Sequence, residues 1–233
     1  MKKLTLIFAI LSLFTCISAK AQKQFYLGAG GNFNSVSILF QYHYGEESDI
    51  SRKFTPGGAI NLNLGADWRL FPDDSSNYLG AKMEIGYIML GQDFEGTENG
   101  VEVYRYVDLS YIQIPALFKY THGKGNIKFY GLVGFQVDFL LSAKQEFSKD
   151  DTTNIHDRVR DASFMLRGDV GADIYLAKNL FVNLGISSGY AITDLTTKEY
   201  RVKDPETGKY QITHNFYIGL NVGINFRFDL KDK

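Results

Sequence analysis

The chain has 233 residues, with 25 basic and 26 acidic side chains, a formal charge of −1, 23 Gly, 18 Phe and 15 Tyr but only 4 Pro. This even balance carries no basic cluster or stripe, which argues against a nucleic-acid partner. One cysteine, Cys16, leaves no disulfide framework or thiolate metal site, and the absence of an eighteen-residue apolar run rules out a helical span.

Met1-Lys2-Lys3, the apolar run Leu4 to Ile17 and Ala19-Lys20-Ala21 have the charged, apolar and small-x-small sections of a secretory signal peptide. Cleavage is expected after Ala21, so residues 1–21 would leave and take Cys16 with them. Leu13-Phe14-Thr15 before that cysteine lack the small residues of a lipobox. Residues 22–233 then form one domain. Without Lys2, Lys3 and Lys20 it keeps 22 basic against 26 acidic residues, a formal charge of −4.

Eight segments alternate with a period of two, the signature of β-strands. In the first, Phe25, Leu27, Ala29 and Phe33 oppose Tyr26, Gly28, Gly30, Asn32 and Asn34, and a slip of parity near Ser35 predicts an end or a bulge. Next, Ile60, Leu62, Leu64, Ala66, Trp68 and Leu70 oppose Asn61, Asn63, Gly65, Asp67 and Arg69. The third sets Leu79, Ala81, Met83, Ile85, Tyr87 and Met89 against Gly80, Lys82, Glu84 and Gly86. The fourth, from about Val107 to Tyr120, is less regular. The fifth opposes Ile127, Phe129, Val133, Phe135, Val137 and Phe139 to Lys128, Tyr130, Gly134, Gln136 and Asp138. Phe164, Leu166, Val170, Ala172 and Ile174 against Arg167, Asp169, Gly171 and Asp173 make the sixth. In the seventh, Leu180, Val182, Leu184, Ile186 and Tyr190 oppose Phe181, Asn183, Gly185, Ser187 and Gly189. The last alternates without a break: Phe216, Ile218, Leu220, Val222, Ile224, Phe226 and Phe228 oppose Tyr217, Gly219, Asn221, Gly223, Asn225 and Arg227.

These strands exceed the roughly five or six residues of a globular sheet and suit the ~9–11 residues that cross a bilayer. Connections alternate between long (35–56, 91–105, 142–162, 192–213) and short (71–77, 121–126, 176–179), as in outer-membrane barrels with short periplasmic turns and longer extracellular loops. A soluble lipocalin-like ligand-binding barrel would place the same apolar faces inward. Three features favour the membrane barrel: the loop asymmetry; a polar face of Gly, Asn and Asp; and aromatic residues near strand ends. Phe71, Tyr78, Tyr120, Phe129, Tyr175 and Phe228 would form one girdle, Tyr87, Phe139, Phe164, Tyr190 and Phe216 the other. The fold class is therefore all-β, an eight-stranded antiparallel up-and-down transmembrane β-barrel, with outer-membrane lipid as its surroundings and long loops outside the cell.

An eight-stranded barrel is just wide enough for its own side chains. Asp67, Arg69, Lys82, Glu84, Lys128, Gln136, Asp138, Arg167, Asp169, Asp173 and Arg227 would pack into a closed polar lumen as a charge network, and buried charges must be paired. The alternatives are a gated proton or solute path, or a small outer-membrane hydrolase or acyltransferase at the extracellular mouth. For the latter, His43, His156 or His214 would need a partner such as Asp157, Asp194 or Ser187, and no G-x-S-x-G motif occurs. His122 falls in a short turn. No HExxH spacing marks a metal, and Gly28-Ala29-Gly30-Gly31 lacks the last glycine and the helix of a dinucleotide fingerprint. No cofactor is expected.

Asn221, Gly223, Phe226 and Phe228 within the final octet Asn221 to Phe228 resemble the C-terminal signature that outer-membrane barrels present to their assembly machinery, although Asp229 to Lys233 follow the last aromatic. Tyr111-Ile112-Gln113-Ile114-Pro115-Ala116-Leu117-Phe118-Lys119-Tyr120 is similar to the Tyr-Leu-Glu-Ile-Pro-Leu-Leu-Leu-Lys-Tyr stretch of the PorT-like outer-membrane β-barrel family of Bacteroidota. The resemblance implies a barrel and not an activity; PorT itself is associated with type IX secretion. Pro115 removes a ladder donor, so a bulge or a missing hydrogen bond is expected there. Loops offer the functional surface. Thr196 to Val202 and Lys209 to His214 flank the turn-like Asp204-Pro205-Glu206-Thr207-Gly208, predicting a hairpin beyond the membrane whose edge could add a partner strand. The expected role is structural or interactive: adhesion, envelope stability, or membership of an envelope or secretion complex.

Overall fold

The computed structural model describes residues 23–39, 51–69, 76–98, 101–147, 152–201, 203, 208, 210, 212 and 213–229, apart from the side chains of Lys23, Arg52, Arg69, Glu98, Val101, Val103, Phe147 and Asp229. The expected signal peptide, Leu70, Phe71 and His43 lie outside the described residues, as does the side chain of Arg69. Ten strands follow one another among the described residues: β1 (Lys23–Leu39), β2 (Ser51–Arg52), β3 (Thr55–Arg69), β4 (Asn77–Glu98), β5 (Val101–His122), β6 (Ile127–Phe147), β7 (Thr152–Asn154), β8 (Ala162–Ala177), β9 (Leu180–Ala191) and β10 (His214–Asp229).

Eight of them close a ring. β1 pairs with β3 and β10, β4 with β3 and β5, β6 with β5 and β8, and β9 with β8 and β10, all antiparallel. Closure leaves no edge within the ring, so the strand ladders satisfy their own backbone groups, as a lipid-embedded sheet requires. β2 adds to the upper end of β4 and β7 to that of β6.

The outer face carries exposed apolar side chains all round, among them Leu62, Met83, Phe118, Phe135, Val170, Leu184, Leu220 and Ile224. Leu220 is 61% exposed, and Arg there should cost about 2–4 kcal/mol if it sits at mid-bilayer. Urea unfolding of Leu220→Arg in phospholipid vesicles checks this; an unchanged midpoint would mean that Leu220 does not face hydrocarbon.

Two expected girdle residues point the other way. Tyr78 is buried with Lys128 Nζ 4.2 Å from its ring centroid, and Tyr175 packs 5.2 Å from the lumen ring of Phe181. Both lie within two residues of a strand end, on its inward parity. Tyr120, Phe129 and Phe228 remain outside at the short-turn end. At the other end, Phe139 and Phe164 are exposed, Tyr87 shares a 2.8 Å hydrogen bond with Ser110, and Tyr190 stacks on His214 at 5.1 Å.

The parity slip predicted at Ser35 does not occur. β1 continues in unbroken register against β10 to Leu39, and Val36 and Ile38 are buried inside. What changes there is the chemistry of the interior, from polar to apolar. The same change explains the irregular fourth segment: Val107, Leu109, Tyr111, Gln113, Leu117 and Lys119 all face inward. True register shifts lie elsewhere, in β6, where Ser110 pairs with Ser142 but Tyr111 with Leu140, and in β8 between Tyr175 and Ala177. Each leaves one residue unpaired, as a β-bulge does.

At Pro115 the β4–β5 ladder skips Glu84 and Ile85 and resumes at Gly86↔Gln113 in the same register. This is the expected interruption, without a bulge. Segment 91–105, expected as a long loop, is instead a hairpin in which Gly91 to Glu98 pair with Val101 to Asp108. Gly91 allows it: its φ is +147°, and a Cβ there would meet the Val107 carbonyl.

Candidate functional site

The interior is built in layers. Toward the short-turn end, alternation brings charged side chains inward: Asp67 from β3, Lys82 and Glu84 from β4, Lys119 from β5, and Arg167, Asp169 and Asp173 from β8. Arg167 of β8, 1% exposed, donates Nη1 to Glu84 Oε2 at 2.7 Å and grips Asp169 bidentately through Nε at 3.1 Å and Nη2 at 2.9 Å. Lys82 Nζ meets the other oxygen of Glu84 at 2.7 Å. The four form a line of alternating sign. Beside it, Lys119 Nζ donates to Asp173 at 2.7 Å, lies 3.6 Å from Asp67, and faces the Tyr26 ring at 4.9 Å. Tyr26 fits because Gly65 opposite has no Cβ; one added there would overlap the phenol ring.

Most of the predicted lumen charges are therefore brought together. Lys119, the centre of the second cluster, is not among the lumen charges that alternation picks out. Its signal was present, since it shares parity with Tyr111 and Gln113, but the irregular apolar pattern of that segment hid the inward face. Lys128 and Arg227 sit apart at the short-turn mouth. Asp138 belongs to a different layer: its Oδ1 accepts from Gln136 Nε2 at 2.8 Å, and Gln136 Oε1 accepts from Tyr217 at 3.2 Å. Asn183 bridges Asn221 and Asn225 at 2.8 and 2.7 Å. In the proposed assembly signature Asn221 and Gly223 face inward, while Phe226 and Phe228 are each 45% exposed and touch edge to face at 5.0 Å.

Above the polar layer lies an apolar core, which an alternating pattern does not reveal because both faces of the strands are apolar there. Val36, Ile38, Ile88, Leu90, Phe94, Val107, Leu109, Tyr111, Met165 and Tyr217 are packed within it, and Ile155, Val159 and Leu195 reach it from the long connections. Gln92 ties its rim together, accepting from Ser37 at 2.6 Å and donating to the Lys53 carbonyl at 3.0 Å.

The connections over this core interlock. Arg160 N donates to the Leu195 carbonyl and Thr197 N to that of Arg158, and Val159 bridges Thr196. Asp194, 6% exposed, accepts from Thr196 N and from Thr213 N and Oγ1 at 3.1–3.2 Å, and pairs with Arg201 Nε at 2.6 Å. Residues 192–201 thus form a strap over the core, and Lys203 bridges Tyr210 where the arms of the expected hairpin would pair; Val202 and residues 204–207, 209 and 211 of that hairpin lie outside the described residues.

The candidate catalytic partners are engaged in other ways. Asp157 accepts from Tyr200 at 2.8 Å and Ser187 from Asn32 at 3.5 Å in the lumen. His214 Nδ1 donates to the Ala191 carbonyl and His122 Nδ1 to Asn77 Oδ1, both at 2.8 Å.

On the outside of the β4–β5 hairpin, beyond the apolar belt, burial holds the carboxyls of Asp93 and Asp108 above the usual range, helped by Asp108 beside Asp93 and by Glu146 beside Asp108. A carboxyl raised by folding stabilises the hairpin below the unfolded pKa of about 3.9 and loses that contribution as pH rises through the folded value. Amide exchange of 91–108, corrected for intrinsic rates, should therefore show stronger protection at pH 4 than at pH 7, and Asp108→Asn should flatten the difference. Equal protection at both pH values in the native chain would contradict it.

The model of the outer membrane protein beta-barrel domain family matches residues 20–197. Among solved structures, a major outer membrane protein from Thermus thermophilus aligns with TM-score 0.50 and 12% identity, over 88% of this chain and 99% of that one. OprG from Pseudomonas aeruginosa aligns with TM-score 0.44 and 12% identity over 91% and 99%. The outer membrane enzyme PagL aligns with TM-score 0.38 and 13% identity over 88% and 99%. Such likeness extends to the fold and not to chemistry. No curated protein matches the chain.

Proposed function

The chain belongs to the outer membrane protein beta-barrel domain family, and from that premise we propose that it is a sealed structural or interaction protein of the cell envelope, with no catalytic role. The reading rests on one observation: the interior is filled twice over, by the ion-paired layer and by the apolar core under its strap. A filled interior supports neither diffusion nor a substrate channel, and the investment in ordered strand beyond the belt favours presentation of a surface. β2, β7 and the paired β4–β5 arm make that surface firm. The long connections face outward from the cell and the short turns face the periplasm, as in other barrels of this kind.

The surface would serve adhesion, envelope stability or a larger envelope complex. The likeness of Tyr111 to Tyr120 to the PorT-like family is compatible with a place in a secretion complex. Affinity purification from native membranes, with the intact chain against a variant lacking the tip of the β4–β5 arm, tests the reading. A reproducible partner lost with the tip supports it; unchanged recovery of partners with and without the tip, or hydrolysis of lipid by the pure barrel, contradicts it.

A further inference from the structure

We propose that the short-turn mouth is a binding site for an anionic phosphate group. A cavity of about 290 Å³ opens there between β6, β8 and β10, lined by Asn126, Lys128, Tyr175, Lys178 and Arg227, and none of its described lining residues is acidic. Lys128 is 9% exposed, and its ammonium faces the rings of Tyr78 at 4.2 Å and Tyr175 at 5.0 Å. Among the described residues no carboxylate forms an ion pair with it. That sets it apart from Lys82, Lys119 and Arg167 deeper in the lumen, each of which has one. Asp173 stands opposite Lys128 in the β6–β8 register, but its carboxylate and that of Asp67 are turned to Lys119, at 2.7 and 3.6 Å.

Arg227 is oriented at the same opening by Gln24 Oε1 at 3.1 Å and the Lys178 carbonyl at 3.0 Å, and its guanidinium lies 5.3 Å from the Tyr175 ring centroid. A fixed guanidinium beside two ammonium groups suits the several oxygens of a phosphate. Ring faces stabilise the buried lysine without cancelling its attraction for an anion. Leu176, 63% exposed at the bulge on the rim, places an apolar contact next to the charges, which suits a phospholipid headgroup with its chains in the bilayer. A soluble phosphate shares the chemistry.

The full chain in nanodiscs tests this. Native mass spectrometry would count phosphatidylglycerol against phosphatidylcholine retained from an equal mixture, and ³¹P line broadening would follow inorganic phosphate. Enrichment of phosphatidylglycerol, reduced about tenfold or more in Lys128→Gln/Lys178→Gln, supports the site with a lipid occupant. Phosphate binding without lipid enrichment, lost in the same variant, supports it with a soluble one. Lys178 is exposed, so Lys178→Gln alone supplies a folded variant if the double fails the heat-modifiability check, with a smaller loss in the same direction. Failure of both probes to bind, or binding unchanged in a folded variant, overturns the proposal.

Discussion

Arg167→Met is expected to cost the barrel about 3–5 kcal/mol, because it strips the shared cation from two buried carboxylates. Glu84 keeps Lys82 as a partner at 2.7 Å, but Asp169 loses both of its hydrogen bonds from the guanidinium. The larger part of the cost therefore belongs to Asp169. Adding Asp169→Asn removes the stranded charge and leaves Lys82 and Glu84 as a neutral pair, so the double variant should regain most of the loss. Urea unfolding in detergent or lipid, with the slope held constant, gives both midpoints. Additive costs of the two substitutions would show that the ion-paired line is not a coupled unit.

Phe94→Ala is expected to cost a similar amount, about 3–5 kcal/mol, for a different reason. Phe94 is 1% exposed within the apolar core above the polar layer, and truncation there removes buried surface and leaves a cavity that a closed ring of strands cannot collapse to fill. The loss should appear first as faster amide exchange in the β4–β5 arm and the strap over 192–201, ahead of the ion-paired half. A change below about 1 kcal/mol would place Phe94 among ordinary surface positions.

Strand number, order and the lipid face were legible because a period of two survives wherever one side meets hydrocarbon and the other does not. β10 is the clearest case, with Ile218, Leu220, Val222, Ile224, Phe226 and Phe228 exposed and Asn221, Gly223 and Asn225 buried between them. Legibility failed where both faces become apolar. Val36 and Ile38 look like a shift of parity, yet they face a lumen that has changed from polar to hydrophobic; the alternation rule carries no information about that change. Lys119 was lost for the same reason, in a segment where Val107, Leu109 and Leu117 share its side. Tyr78 and Tyr175 show a second limit. An aromatic near a strand end suggests an interfacial girdle, but parity decides the side, and both stand over lumen cations. Segment 91–105 reads as loop because its Gly and acidic residues mask the pairing, and the strap over 192–201 depends on Asp194 and Thr213, which meet only in three dimensions.

The central claim is that the ion-paired layer and the apolar core close this outer-membrane barrel at two successive levels. Planar-bilayer recording of the purified, folded chain in 1 M KCl tests it most directly. The account predicts no resolved conductance steps for the native chain. Discrete, reproducible steps from native protein that scale with salt concentration would contradict it.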